Sequence, residues 1–173
     1  MEKFLIKLPC KPYTRRWMEL TFGDPAELSK DRMLYDIFRS KLRKKSFHYD
    51  YTKYNSLKKY TACIDIKITQ DLFYRCGWEL SRTDVVAFNK HIEQKTKLFM
   101  YHLVGLHKFS GHSLSESIDW FQATYGFPES IWQKDSIYRD CGRNLEASTK
   151  DIQNDMLTII KKITNNNFLV KKT

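Results

Sequence analysis

Five cations fall within the seven residues 39–45: Arg39, Lys41, Arg43, Lys44 and Lys45. That density suits the neutralisation of phosphates, which supplies nonspecific affinity for nucleic acid. Two or three of them have a plainer use, because cations near a helix end complement its dipole. Five exceed that need. Lys58 and Lys59 follow, interleaved with Tyr54 and Tyr60. A second group, Ser136, Arg139, Arg143 and Asn144, has the side-chain types that read base edges. Arginine reads guanine and asparagine reads adenine in the major groove. The expected chemistry is therefore phosphate contact from Arg39, Lys41, Arg43, Lys44, Lys45, Lys58 and Lys59, with base contact from the later group.

Catalytic alternatives are thinner. His48, His91, His102, His107 and His112 have no cysteine partner at zinc-ligand spacing, and no H-E-x-x-H occurs. His107 and His112, five apart, read as solvated or capping side chains. The chain has no phosphate-binding glycine loop and no G-x-S-x-G elbow. Asp65, Asp71 and Glu79 are carboxylates of the type that binds metal in nucleases, but a strand's outer face and a loop make them ordinary surface groups. No enzyme activity, metal or cofactor is expected.

The elements that position these residues follow from periodicity. Phe4–Leu8 reads as a short strand, and Tyr13–Phe22 as a helix with Trp17 and Leu20 inward. Asp24-Pro25-Ala26-Glu27 has the form of a helix start. Met33, Leu34, Ile37, Phe38 and Leu42 then stripe an amphipathic helix over Ser29–Lys45 whose far end is the basic cluster. Phe47, Tyr49 and Tyr51 alternate as on a strand. Those tyrosines with Lys53, Lys58 and Lys59 suit either stacking on unpaired bases or a packed face with a lysine-guarded edge. Ala62, Ile64, Ile66 and Ile68 give the cleanest half-buried strand. Thr69 caps a short helix ended by Gly77, and Thr83-Asp84 opens a long one to about Lys108. Its stripe is Val85, Phe88, Ile92, Phe99, Leu103 and Leu106, with one break at Lys95 or Thr96.

Ser113 and Glu116 have capping-box spacing, and Leu114, Ile118, Phe121 and Tyr125 recur on one helical face. Gly126 and Pro128 close that helix. Asp135 would cap the next, with Ile137, Tyr138 and Cys141 inward. A last helix from Ser148 or Thr149 would bury Ile152, Met156, Ile159, Ile160 and Ile163. The predicted class is α+β, mainly α: a small basic α+β region at 1–80, then a helical bundle at 81–173 containing a helix-turn-helix-like hairpin at 113–147.

Composition frames the partner. The 173 residues are 42% hydrophobic and 14% aromatic, as a folded chain requires. The net charge of +10 points to a polyanion. It is uneven: residues 1–60 hold 15 Lys and Arg against 7 Asp and Glu, whereas residues 113–147 hold 3 against 6. The hairpin is acidic, so its phosphate grip must come from elsewhere, or its role is protein contact. The N-terminal apolar run is too lysine-interrupted for a signal peptide, and no apolar stretch reaches membrane-spanning length. Cys10, Cys63, Cys76 and Cys141 are scattered as reduced thiols would be. A cytoplasmic location is expected.

From the long helix through Asn144, the order of features resembles the C-terminal DNA-binding domain of the bacterial replication initiator, with its Trp-repressor-like helix-turn-helix. The matching parts are the lead-in helix ending FMYHLVGLHKF, the helix opened by Ser113-Leu114 with Ile118 and Phe121, Gly126, and Asp135-Ser136. The resemblance implies that the start of the last helix reads bases, here Ser136, Arg139 and Arg143. The segment from Gly126 to Asp135 is longer than that family's turn. The expected function is non-catalytic binding of double-stranded DNA, in transcription control, replication or the biology of a mobile element. Two alternatives stand beside it: a protein–protein adaptor using the acidic hairpin, toward a partner or a second copy, and an RNA or single-strand binder using 47–60.

Overall fold

The computed structural model describes residues 4–44, 57–148 and 150. Helices dominate, with one two-stranded antiparallel sheet, so the chain is α+β and mainly α. It forms two compact units, Met1–Thr96 and Lys97–Thr173.

In the first unit, β1 (Phe4–Cys10) pairs with β2 (Ala62–Ile68) from Phe4 opposite Ile68 to Cys10 opposite Ala62. Ile64, Ile66 and Ile68 point inward, as their alternation requires. The backbone of Ala26 adds to the other edge of β2, donating to the Asp65 carbonyl at 2.8 Å and accepting from the Lys67 N–H at 2.9 Å. Asp24-Pro25 therefore does not open a helix. The chain is committed there to a sheet contact, and only a 3-10 turn at Leu28–Lys30 follows.

Helix α1 (Pro12–Phe22) buries Trp17, Met18 and Phe22 but leaves the expected core residue Leu20 42% exposed. Helix α2 (Arg32–Lys41) starts on Asp31, whose carboxylate accepts the Leu34 N–H at 3.0 Å. Leu34 and Phe38 face inward, while Met33 faces solvent. The helix stops at Lys41, short of the expected Lys45, because Leu42 turns extended and Arg43 pairs with Glu79. Helix α3 (Gln70–Cys76) is capped by the Thr69 hydroxyl and ends before Gly77, as read from the sequence.

Helix α4 (Arg82–Phe109) begins in the first unit, where Val85, Phe88, Ile92 and Thr96 are buried. Its inward row then continues through Met100 and Val104 in the second unit. Leu106, expected inward, is 48% exposed, and Phe99 and Leu103 are only half-buried. Thr96 is no break in the row, because its hydroxyl donates to the Ile92 carbonyl at 2.8 Å and is thereby satisfied. Counting it as polar shifts the predicted stripe off by one position.

In the second unit, α5 (Leu114–Tyr125) carries the complete capping box of Ser113 and Glu116 and ends at Gly126 in the left-handed region, φ 69°. A connection at 126–133 leads to α6, residues 134–148. Ile118 and Phe121 from α5, Phe127 and Trp132 from the connection, and Ile137, Cys141 and Leu145 from α6 are buried. The strand expected at Phe47, Tyr49 and Tyr51 and the apolar face expected at Ile152–Ile163 lie outside the described residues.

Candidate nucleic-acid interface

The structure brings together the basic residues that flank the end of α2. Arg39 and Lys41 sit in its last turn, and Arg43 and Lys44 follow in extended chain. This stretch is clamped: the Arg43 N–H donates to the Glu79 carbonyl at 3.0 Å, and the N–H groups of Trp78 and Glu79 converge on the Arg43 carbonyl at 3.1 and 3.2 Å. Gly77 makes the approach possible. Its φ is 103°, and a Cβ there would stand 2.0 Å from the Arg43 carbonyl carbon.

Two of the cations already have a carboxylate. Asp84, in the first turn of α4, lies 3.1 Å from the Arg43 guanidinium and 3.9 Å from the Lys41 ammonium. The carboxylate oxygen that faces Arg43 also accepts a short hydrogen bond from the Ser81 hydroxyl. Arg39 and Lys44 are exposed, and among the described residues neither forms an ion pair. Lys45 lies outside the described residues.

Lys58 and Lys59 are exposed and lie in the same unit. The Lys59 ammonium lies 5.0 Å from the centre of the Tyr60 ring. Burial pushes the Tyr60 hydroxyl pKa up to about 12, with Glu93 adding to the rise and Lys11 opposing it. In sequence the basic residues make two groups, 39–45 and 58–59.

In the second unit, α6 presents Arg139 and Arg143 to solvent and leaves Ser136 half-buried. Asn144 is exposed, but its amide donates to the Tyr101 hydroxyl at 3.1 Å and to the Asp140 carbonyl at 3.2 Å. Arg139 donates to the Asp135 carbonyl at 3.2 Å. Asp140 pairs with Lys97 at 2.7 Å. Two sequence expectations change here. Tyr138, expected inward, is 50% exposed. Asp135 is not the helix cap: Ser136 and Ile137 donate to the Gln133 carbonyl, and the Glu129 carboxylate accepts the Lys134 N–H at 2.9 Å. Glu129 reaches this position because the connection folds back on itself. Its Phe127 and Trp132 carbonyls both accept from the Gln122 amide, at 2.9 and 2.7 Å.

Of the four cysteines, Cys10 and Cys141 are buried and Cys63 is exposed. Burial pushes the Cys10 and Cys141 thiols up to about 12, so neither is a thiolate near neutral pH. His107 stacks between His112 at 4.0 Å and Trp120 at 4.5 Å, and its Nδ1 lies 3.1 Å from the Ser117 hydroxyl. Desolvation, then His112, holds its pKa below the usual imidazole range. Asp71 pairs with Arg75 at 3.3 Å. Among the described residues, no cluster of three or more His, Cys, Asp and Glu has the arrangement of a metal site. No described helix is long and apolar enough to cross a membrane.

Residues that sequence reasoning passed over are the aromatics beside the clamp. Phe73 and Trp78 stack with centroids 4.8 Å apart, and Phe4 lies 4.4 Å from Phe73. The only local signal was the pair Phe73-Tyr74 one turn before Trp78. Comparison with protein-family models, with curated proteins and with solved structures finds no match to this chain.

Proposed function

We propose that this chain is a non-catalytic DNA-binding protein whose first unit grips phosphates. The observation that carries the reading is the set of exposed cations at Arg39, Lys44 and Lys58, for which no described carboxylate serves as partner. They sit in a unit whose sequence holds 20 Lys and Arg against 12 Asp and Glu. Free cations on a positively charged body attract phosphate over a Debye length and release counterions on contact. Arg139 and Arg143 on α6 are the candidates for base contact, with Ser136 and Asn144 in supporting positions. Such a protein suits transcription control, replication or a mobile element's accessory functions.

The test is fluorescence anisotropy with random duplex DNA, titrated from low to physiological salt. Micromolar binding that weakens steeply with salt is the expected result. Absence of binding at low salt overturns the reading. A second reading, protein contact through the hairpin, draws on Tyr138, half-exposed on a helix that also carries Asp135, Asp140 and Glu146. In that case Tyr138→Ala weakens capture of a partner or a second copy and leaves DNA affinity unchanged.

A further inference from the structure

The clamp that fixes the basic edge also fixes an aromatic surface next to it. Trp78 is 42% exposed and Tyr74 58% exposed, beside half-buried Phe73 and Phe4. The Trp78 and Phe73 rings are nearly parallel, 18° apart, and Tyr74 meets Phe73 edge-on at 5.3 Å. Large rings grouped at the surface mark an interaction face more often than scattered single ones do. What singles this group out is its neighbour. The Trp78 backbone N–H holds the Arg43 carbonyl at 3.1 Å, so the chain at Arg43, with Lys44 next in sequence, runs alongside the backbone that carries the Trp78 ring. Gly77 keeps that spacing rigid, since no side chain fits between the two backbones.

Flat aromatic faces bordered by exposed cations match the chemistry of an unpaired nucleotide. The base stacks on a ring and the phosphate meets the cation. A duplex cannot offer the same contact, because its bases are already stacked on each other. An apolar protein partner would have no use for the adjoining cations, whereas a polyanion uses both parts. We propose that this face binds single-stranded nucleic acid, with a base on Trp78, the next against Tyr74, and a phosphate at Lys44. The inference rests on the nucleic-acid reading above and adds unpaired strands to what the first unit binds.

The experiment uses the full chain with two labelled probes at one salt concentration, an oligothymidylate of about 16 nucleotides and a duplex of the same length. Wild type is expected to bind the oligothymidylate, and Trp78→Ala to weaken that binding about tenfold, the effect of losing one stacked base. Duplex binding should change less than twofold, and Trp78→Phe should keep most single-strand affinity. If Trp78→Ala does not fold, two other readouts decide: tenfold weakening by Tyr74→Ala, and oligonucleotide quenching of tryptophan emission that is missing in Trp78→Phe. If wild type binds neither probe, the nucleic-acid reading falls and this inference with it; if it binds oligothymidylate alone, the duplex reading falls and this inference stands. If it binds duplex while Trp78→Ala and Tyr74→Ala leave oligothymidylate affinity unchanged, only this inference falls. A change in sedimentation on Trp78→Ala without a change in affinity also overturns it, and makes the face a contact between copies.

Discussion

The end of α2 and the outer face of α6 both carry arginines that suit nucleic acid, yet they differ in what surrounds the charge. At the end of α2, one carboxylate, Asp84, serves two cations, and Arg39 and Lys44 have none among the described residues. On α6, Arg139 and Arg143 share their helix with Asp135, Asp140 and Glu146. Asn144 already donates to Tyr101 and to its own helix. The difference teaches that counting cations is a poor guide to phosphate grip. What attracts phosphate is the surplus of cations over carboxylates, and α6 has none, with Lys134, Arg139 and Arg143 against Asp135, Asp140 and Glu146. Its arginines can still donate directed hydrogen bonds, which set preference rather than overall affinity.

The largest expected effect comes from breaking the clamp that holds the first surface together. Gly77→Ala places a Cβ at an impossible distance from Arg43 and forces a non-glycine residue to φ 103°. The strain alone costs about 1–3 kcal/mol, and displacement of the backbone adds to it. Urea denaturation should show a loss of about 3 kcal/mol or more. A loss under about 1 kcal/mol would mean that the joint at Arg43 and Glu79 is not rigid. Next in size is the charge itself. The triple change Arg39→Ala, Lys44→Ala, Lys58→Ala should lower duplex affinity about tenfold or more and reduce the salt slope by roughly 2.7. An unchanged slope would show that phosphates are held elsewhere.

A smaller effect tests the support beneath that surface. Asp31 starts α2, capping Leu34 and pairing with Lys95 at 2.6 Å. Burial raises its carboxyl pKa, but the Lys95 and Leu34 hydrogen bonds outweigh it, so the net shift is downward from 3.8. A depressed folded-state pKa contributes stability that is present above the unfolded value and disappears as pH falls through the folded one. Asp31→Ala should therefore cost about 1 kcal/mol near neutral pH. The difference from wild type should shrink below about pH 4 in acid titrations followed by circular dichroism. A gap that persists at low pH would assign the effect to packing instead.

How much of this could be read beforehand depends on the range of the interaction. The Ser113 and Glu116 box, the Thr69 cap, Gly126 and the isoleucine alternation of β2 each depend on partners a few residues away, and all appear as expected. The end of α2 was not legible, because the partner that stops it, Glu79, is far away in sequence. Nor was the pairing of Arg43 with Asp84, which sets one negative charge against the basic cluster. Periodicity also misplaced Leu20, Met33 and Tyr138, which occupy plausible inward positions yet face solvent. Apolar type and spacing give a face only to within about one residue step, or 100° around a helix. The aromatic neighbours of the basic edge were invisible for the same reason as the clamp: Trp78 meets Arg43 only through folding.

The smallest expected effect falls on α6 and sharpens the comparison most. Arg139 is exposed, and its link to the Asp135 carbonyl is within its own helix, so truncation disturbs no core contact. Arg139→Ala should leave the melting temperature and random-duplex affinity nearly unchanged, within about twofold, because a residue among carboxylates adds little net attraction. If the face nevertheless reads bases, the loss will appear only in preference. Each good arginine–guanine pair is worth about 1–3 kcal/mol of discrimination. Sequences selected by wild type from a random duplex pool should then lose their advantage over unselected ones with the Arg139→Ala protein. Should selection recover no preferred sequence with wild type, α6 has no reading role, and the first unit alone accounts for binding. Should Arg139→Ala instead weaken all duplexes alike, its neighbouring carboxylates do not screen it. The contrast between the two surfaces would then be one of degree.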